Sequence, residues 1–170
     1  MWIVVGVVAL VVLVATYLTW IATRVDRLHA RAGAAFSALD AQSVRRAAAA
    51  AALGHQHEFV EVQTAAKAVL GAHPDDRESA ENDLTRALRH AAVERGQAGD
   101  RGPGADGVRD ALSWVAEESR RLALARQAYG DVARDALAVR RRVLVRLLRL
   151  ARRHPEPRFF DIDEPTLDET

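Results

Sequence analysis

The chain has 170 residues, enough for one domain with an appended element, and its 24 basic and 23 acidic side chains nearly cancel to a formal charge of +1. It contains no cysteine, which excludes disulfides, thiolate catalysis, zinc–cysteine sites and cysteine acylation. Alanine, leucine, valine and arginine dominate while proline and phenylalanine are scarce, a composition that favours helices and gives sheets little to build on.

Residues 1–23, MWIVVGVVALVVLVATYLTWIAT, carry no charged side chain. At about 1.5 Å per residue they reach about 34 Å, enough to cross a hydrocarbon core of about 30 Å. Trp2 marks one end, and Tyr17 and Trp20 mark the other, where amphipathic rings favour the interface. A cleaved signal would need a basic leader, a shorter apolar core and a small-x-small cleavage site, and Ile21-Ala22-Thr23 fits that site poorly. A retained anchor is therefore expected. Arg24, Arg27, Arg31, Arg45 and Arg46 all follow the span, so the positive-inside rule predicts an outward N-terminus and a cytoplasmic remainder.

Beyond the anchor the periodicity is helical. Val25, Leu28, Ala32, Ala35 and Leu39 keep a three-four spacing in a segment running from Arg24 to Leu53, with Gly54 expected to end it. A second helix is expected over about Gln56 to Leu70, before Gly71 and Pro74. A third opens at Asp75 and Asp76, carries Ala80, Leu84, Ala87, Leu88 and Ala91, and closes at Gly96. The glycine-rich stretch 96–107 has no preceding strand and no Gly-Lys-Ser/Thr, so it reads as a linker and not as a phosphate loop. The last segment steps by fours and threes from Val108 through Leu112, Val115, Ser119, Leu122, Arg126, Tyr129, Ala133, Ala136 and Arg140 to Leu150, with a bend expected at Gly130. The expected fold is all-α: a transmembrane anchor (1–23), an antiparallel four-helix bundle (24–153) and a flexible acidic, aromatic tail (154–170).

Gln42, Arg46 and Arg126 fall on seams that are otherwise apolar. A charge buried alone costs several kcal/mol, so Arg126 needs a partner across the interface, with Asp40 the candidate, unless its stem carries the guanidinium out to solvent.

These polar positions also carry a resemblance. Phe36, Ser37, Leu39, Asp40, Gln42, Arg45 and Arg46 follow an N-terminal apolar span. Further along come Glu81-Asn82-Asp83-Leu84 with Ala87-Leu88, then Ala125-Arg126-Gln127-Ala128-Tyr129-Gly130-Asp131-Val132, then Arg158-Phe159-Phe160-Asp161. In this order the four blocks resemble the LemA family. Six alanines follow the paired arginines where that family continues Leu-Ile-Pro-Asn-Leu, Gly130 stands where it has asparagine, and its Phe-Pro near the end of the last helix is missing. The resemblance implies a four-helix bundle on a single-pass anchor with the N-terminus outside, and it implies no established catalysis. Asp40, Gln42, Arg45, Arg46, Arg126 and Tyr129 match its polar positions and form the candidate network.

No catalytic, cofactor or metal site is expected. His55-Gln56-His57-Glu58 reads as a solvated turn, because positions two apart on a helix diverge and a metal needs three or four converging ligands. The basic run Arg140, Arg141, Arg142, Arg146, Arg149 and Arg153 suits a solvated face or anionic lipid, with nucleic acid ranked last at this net charge. The acidic tail either folds back on that face or docks elsewhere. The expected function is a non-catalytic interaction or scaffold protein at the cytoplasmic membrane face, with other proteins as partners. The alternative is an outward-facing envelope bundle that binds a small ligand or metal.

Overall fold

In a computed structural model, residues 1–73, 76–98, 105–140, 162 and 164–166 are described, and every regular element among them is helical. Helix α1 covers Trp2–Gln56, α2 Val60–Gly71, α3 Arg77–Ala98 and α4 Ala105–Arg140. No strand occurs among the described residues, as the composition implies. The apolar leading segment and the first amphipathic segment form one helix of 55 residues, with no proline between them to break it.

Gly54 does not end α1. The helix runs on to Gln56, and the left-handed residue that turns the chain is Glu58, at φ 60°. Gly54 serves close packing instead. A Cβ there would lie 2.7 Å from the Gln63 backbone nitrogen, so only glycine lets α2 approach so closely. Phe59 precedes α2 and makes no side-chain cap; its ring packs on the core. Helix α3 continues past Gly96 to Ala98, and α4 is helical through Gly130.

The chain divides into two compact units: Met1–Ala35 with Gly130–Phe159, and Phe36–Tyr129 with Phe160–Thr170. The boundary expected at Thr23 lies inside the first unit.

In the first unit, side chains from Met1 to Tyr17 are exposed, with Leu13 at 70%. Thr16, Thr19 and Thr23 donate their hydroxyls to the carbonyls of Val12, Ala15 and Thr19 at 2.8–2.9 Å, so these side chains satisfy their own polarity within the helix. Ile21 and Val25 are buried together, with Val139 against them.

In the second unit all four helices contribute to one core. Ala47, Ala50 and Leu53 come from α1, Val62, Ala66 and Val69 from α2, Ala80, Leu84, Leu88 and Ala91 from α3, and Val115 from α4. Each large side chain so buried contributes about 1.5–3 kcal/mol, and the alanines of α1 let its neighbours pack close to its backbone. Of the seam read from the sequence on α4, Val108, Val115, Ser119, Leu122 and Tyr129 are buried in this unit, with Leu112 and Arg126 half-buried between them. Ala133 and Ala136 are buried in the first unit, and the positions from Arg140 to Leu150 lie outside the described side chains.

Candidate functional site

The centre of the second unit is polar. Arg46 on α1 is fully buried, and so are Glu81 on α3, Ser43 on α1 and Ser119 on α4. The Arg46 guanidinium donates from Nη1 to Glu81 Oε2 at 2.6 Å, from Nη2 to Thr85 Oγ1 at 2.9 Å and from Nε to Ser119 Oγ at 3.0 Å. Ser43 Oγ donates to the second Glu81 oxygen at 2.5 Å. The two hydroxyls that accept from Arg46 pass their own protons to carbonyls one turn back, Thr85 to Glu81 O and Ser119 to Val115 O. One arginine thus ties α1, α3 and α4, and each polar atom along the chain of bonds is paired.

The electrostatics follow from burial. Loss of water lowers the Arg46 pKa, and the facing Glu81 carboxylate opposes that shift by charge and by hydrogen bond, while the nearby Arg89 charge adds slightly to it. An arginine starts so far above neutrality that it stays charged, and Glu81 is its counterion. A buried pair of this kind adds little net stability over an apolar substitute, but removing one member strands the other. Its geometric effect is to fix which turns of three helices face one another.

The six residues expected to form one network are spread over several contacts. Only Arg46 belongs to the buried cluster. Asp40 accepts from Arg77 at the start of α3, whose other amine donates to Ala72 O at 3.2 Å. The expected Asp40–Arg126 pair is therefore absent. Arg126 is half-buried and its Nη1 lies 3.8 Å from Glu164 Oε2, so the tail supplies its acid. Arg45 is exposed, because consecutive helix positions point about 100° apart and Arg46 takes the inward one. Gln42 is half-buried, its Oε1 without a hydrogen-bond partner among the described residues. Tyr129 is buried with its ring centroid 5.6 Å from that of Phe36, and burial raises its pKa above the usual value.

Four positions of the buried cluster are not ones that sequence reasoning marks as a site: Ser43, Glu81, Thr85 and Ser119. Two leave a trace. Ser119 stands among apolar residues on the α4 seam, and Glu81 lies in the Glu-Asn block of the resemblance, two turns of α3 from Leu88 on the same buried face. The signal that finds them is a small hydroxyl or an acid at the core position of a helix that is otherwise alanine and leucine.

Of the tail, residues 162 and 164–166 are described, and they make contacts within the second unit. Ile162 and Pro165 are buried, and Glu164 offers its carbonyl to Arg89 Nη2 at 2.7 Å while its carboxylate faces Arg126. It thus bridges α3 and α4 within the second unit. The basic run Arg141, Arg142, Arg146, Arg149 and Arg153 lies outside the described residues, as does the side chain of Arg140.

Among the described residues no group of three or more histidines and acids is placed to hold a metal ion. His55 Nδ1 meets Gln63 Nε2 at 3.4 Å, His57 and Glu58 lie in the turn, and His90 stands 3.7–3.8 Å from Glu94 and Glu61 on an exposed surface. Comparison with protein-family models, with curated proteins and with solved structures produced no match to this chain.

Proposed function

We propose that this chain is a membrane-anchored antiparallel four-helix bundle, related in plan to the LemA family, and that it works as a non-catalytic interaction or scaffold protein at the cytoplasmic face. The observation that carries the proposal is α1 itself. It is one helix, long and apolar enough near the N-terminus to cross a membrane, whose later turns supply Arg46, Ala47, Ala50 and Leu53 to a packed core. An anchor and a core on one unbroken helix suit a protein that holds a surface at a bilayer. The arginines after the span favour the cytoplasmic side.

Two features support a role in contact and not in chemistry. The buried polar cluster has every charge matched by a fixed partner, which makes it a device for register and leaves no group free to transfer a proton. On the outside, Trp114 and Leu124 of α4 and Val93 of α3 are more than half exposed, large apolar side chains of the kind that anchor protein interfaces.

Protease digestion of intact cells and of inverted vesicles tests the placement. Cleavage of the C-terminal tail only in inverted vesicles is expected, and cleavage only from the outside would sink the cytoplasmic assignment. Crosslinking in native membranes, read by mass spectrometry, should yield adducts through residues near Trp114 and Leu124. A chain that crosslinks to nothing but lipid would contradict the scaffold role.

A further inference from the structure

A cleft of about 810 Å³ runs beside α1 where the apolar span gives way to charge, and its described lining includes Thr19, Trp20, Thr23, Arg24, Arg27 and Arg31. At about 100° per residue, Trp20, Arg24, Arg27 and Arg31 fall within about 60° of one another on a single helix face. The Arg24 guanidinium sits 5.6 Å from the Trp20 ring, which itself stacks on Tyr17 at 6.2 Å. Among the described residues neither Arg27 nor Arg31 is ion-paired, and all three arginines are exposed.

We propose that this face binds the phosphate headgroup of an anionic phospholipid, with Arg24 and Arg27 on the phosphate, Arg31 reinforcing them and Trp20 against the glycerol and upper acyl chain. The proposal rests on the membrane reading above and adds the ligand class at its edge. Three arguments carry it. The first is depth. A headgroup layer is about 5–8 Å thick on each side of the hydrocarbon, and Arg24 lies about 6 Å beyond Trp20 along the axis, with Arg27 one turn further. The second is direction. Side chains on a helix lean toward its N-terminus, and here the N-terminus is the apolar end, so the three guanidiniums tilt back toward the lipid and not away from it. The third is chemistry. Guanidinium forks match phosphate oxygens, no carboxylate is among the described lining, and the Thr19 and Thr23 hydroxyls are already engaged by their own helix, leaving the arginines as its charged donors.

The test uses the full-length chain purified in an uncharged detergent and titrated with short-chain phosphatidylglycerol, phosphatidylcholine or inorganic phosphate, with bound lipid counted by native mass spectrometry. Each arginine near a phosphate surface favours binding about fivefold. The wild-type chain should therefore prefer phosphatidylglycerol over phosphatidylcholine by at least about tenfold. The variant R24Q/R27Q/R31Q should lose about 10–100-fold in phosphatidylglycerol affinity. Lysines at the three positions should restore most of it, because the point charges remain. Inorganic phosphate at equal concentration should not displace the lipid. Equal binding of the two lipids, an unchanged triple variant or displacement by inorganic phosphate would each overturn the proposal. All three side chains are exposed, and circular dichroism of each variant shows whether helicity is kept. Alkaline carbonate extraction separates this proposal from the anchor: a chain released as soluble protein defeats the membrane reading. A chain that stays with the membrane but ignores phosphatidylglycerol defeats only the lipid site.

Discussion

The two ends of α1 invert the usual relation between hydropathy and burial. Near the N-terminus, Trp2, Ile3, Leu10 and Leu13 are more than 60% exposed, whereas much later on the same helix Arg46 is completely enclosed. The first region has apolar side chains all round and therefore no inward face to select. The second is mostly alanine, which defines a face only weakly by hydropathy, and its inward face is chosen by what the other helices present: Glu81, Thr85 and Ser119. An apolar helix surface needs an apolar surrounding, which a bilayer supplies where the protein does not. A buried guanidinium needs fixed acceptors, and turns of the neighbouring helices supply them.

The largest effect expected from breaking this contrast is at Glu81. Glu81→Ala leaves the Arg46 charge enclosed without its counterion and should cost about 3–5 kcal/mol in chemical denaturation of the full chain in mild detergent. The double variant Arg46→Met, Glu81→Leu should be markedly more stable than Glu81→Ala alone, because an apolar pair of similar volume replaces the ion pair. If the two are equally unstable, the buried pair does not govern register.

Next comes a matched pair of leucines. Leu122→Ala, in the core, should cost about 2–5 kcal/mol, while Leu13→Ala, on the exposed apolar turn, should change denaturation by no more than about 0.5 kcal/mol. Similar losses at both would mean that the N-terminal turns are packed within the protein after all.

Gly54→Ala forces a Cβ against the Gln63 backbone, which cannot move as a side-chain tip can, so a loss of about 1–3 kcal/mol is expected. A gain in stability there would show that α2 does not approach as closely as the structure has it.

A smaller effect is tied to pH. Burial raises the Tyr129 pKa, while in the unfolded chain it lies near 10. Below about pH 10 both states hold the phenol proton and Tyr129 adds no pH dependence. Above it the unfolded chain releases the proton first, so stability should fall as pH climbs through about 10 toward the higher native value. Tyr129→Phe should remove that part of the alkaline slope, and an unchanged slope would rule Tyr129 out as its source.

The smallest effect is expected at the half-exposed Asp40–Arg77 pair, where Asp40→Ala should cost no more than about 1 kcal/mol. A double-mutant cycle between Asp40 and Arg126 should show no coupling, since each is engaged elsewhere.

Much of the architecture is legible in the chain. The uncharged run at 2–23 and the three-four spacing of Val25, Leu39, Leu84, Leu88, Val115 and Leu122 are local patterns, and local patterns determine which residues are helical and which face turns inward. Gly54 reads as a cap because a glycine near a helix end marks one by default, and its real reason, the Gln63 backbone, lies across a turn that periodicity does not see. Arg126 points to the wrong acid for a similar reason: several acids lie within reach of a four-helix arrangement, and the tail, short and acidic, offers no period by which to place Glu164.

What the sequence determined by itself is a helical chain with one span fit for a bilayer and a set of amphipathic faces that must be covered. It also placed Gln42, Arg46 and Arg126 on stripes that are otherwise apolar, without deciding whether they would be enclosed or reach solvent. Which groups meet them was decided only by tertiary structure. Hydropathy repeats every few residues and is read within one helix, whereas a hydrogen bond from Arg46 to Glu81, Thr85 or Ser119 depends on the rotation and height of three helices at once, and no single helix carries that information.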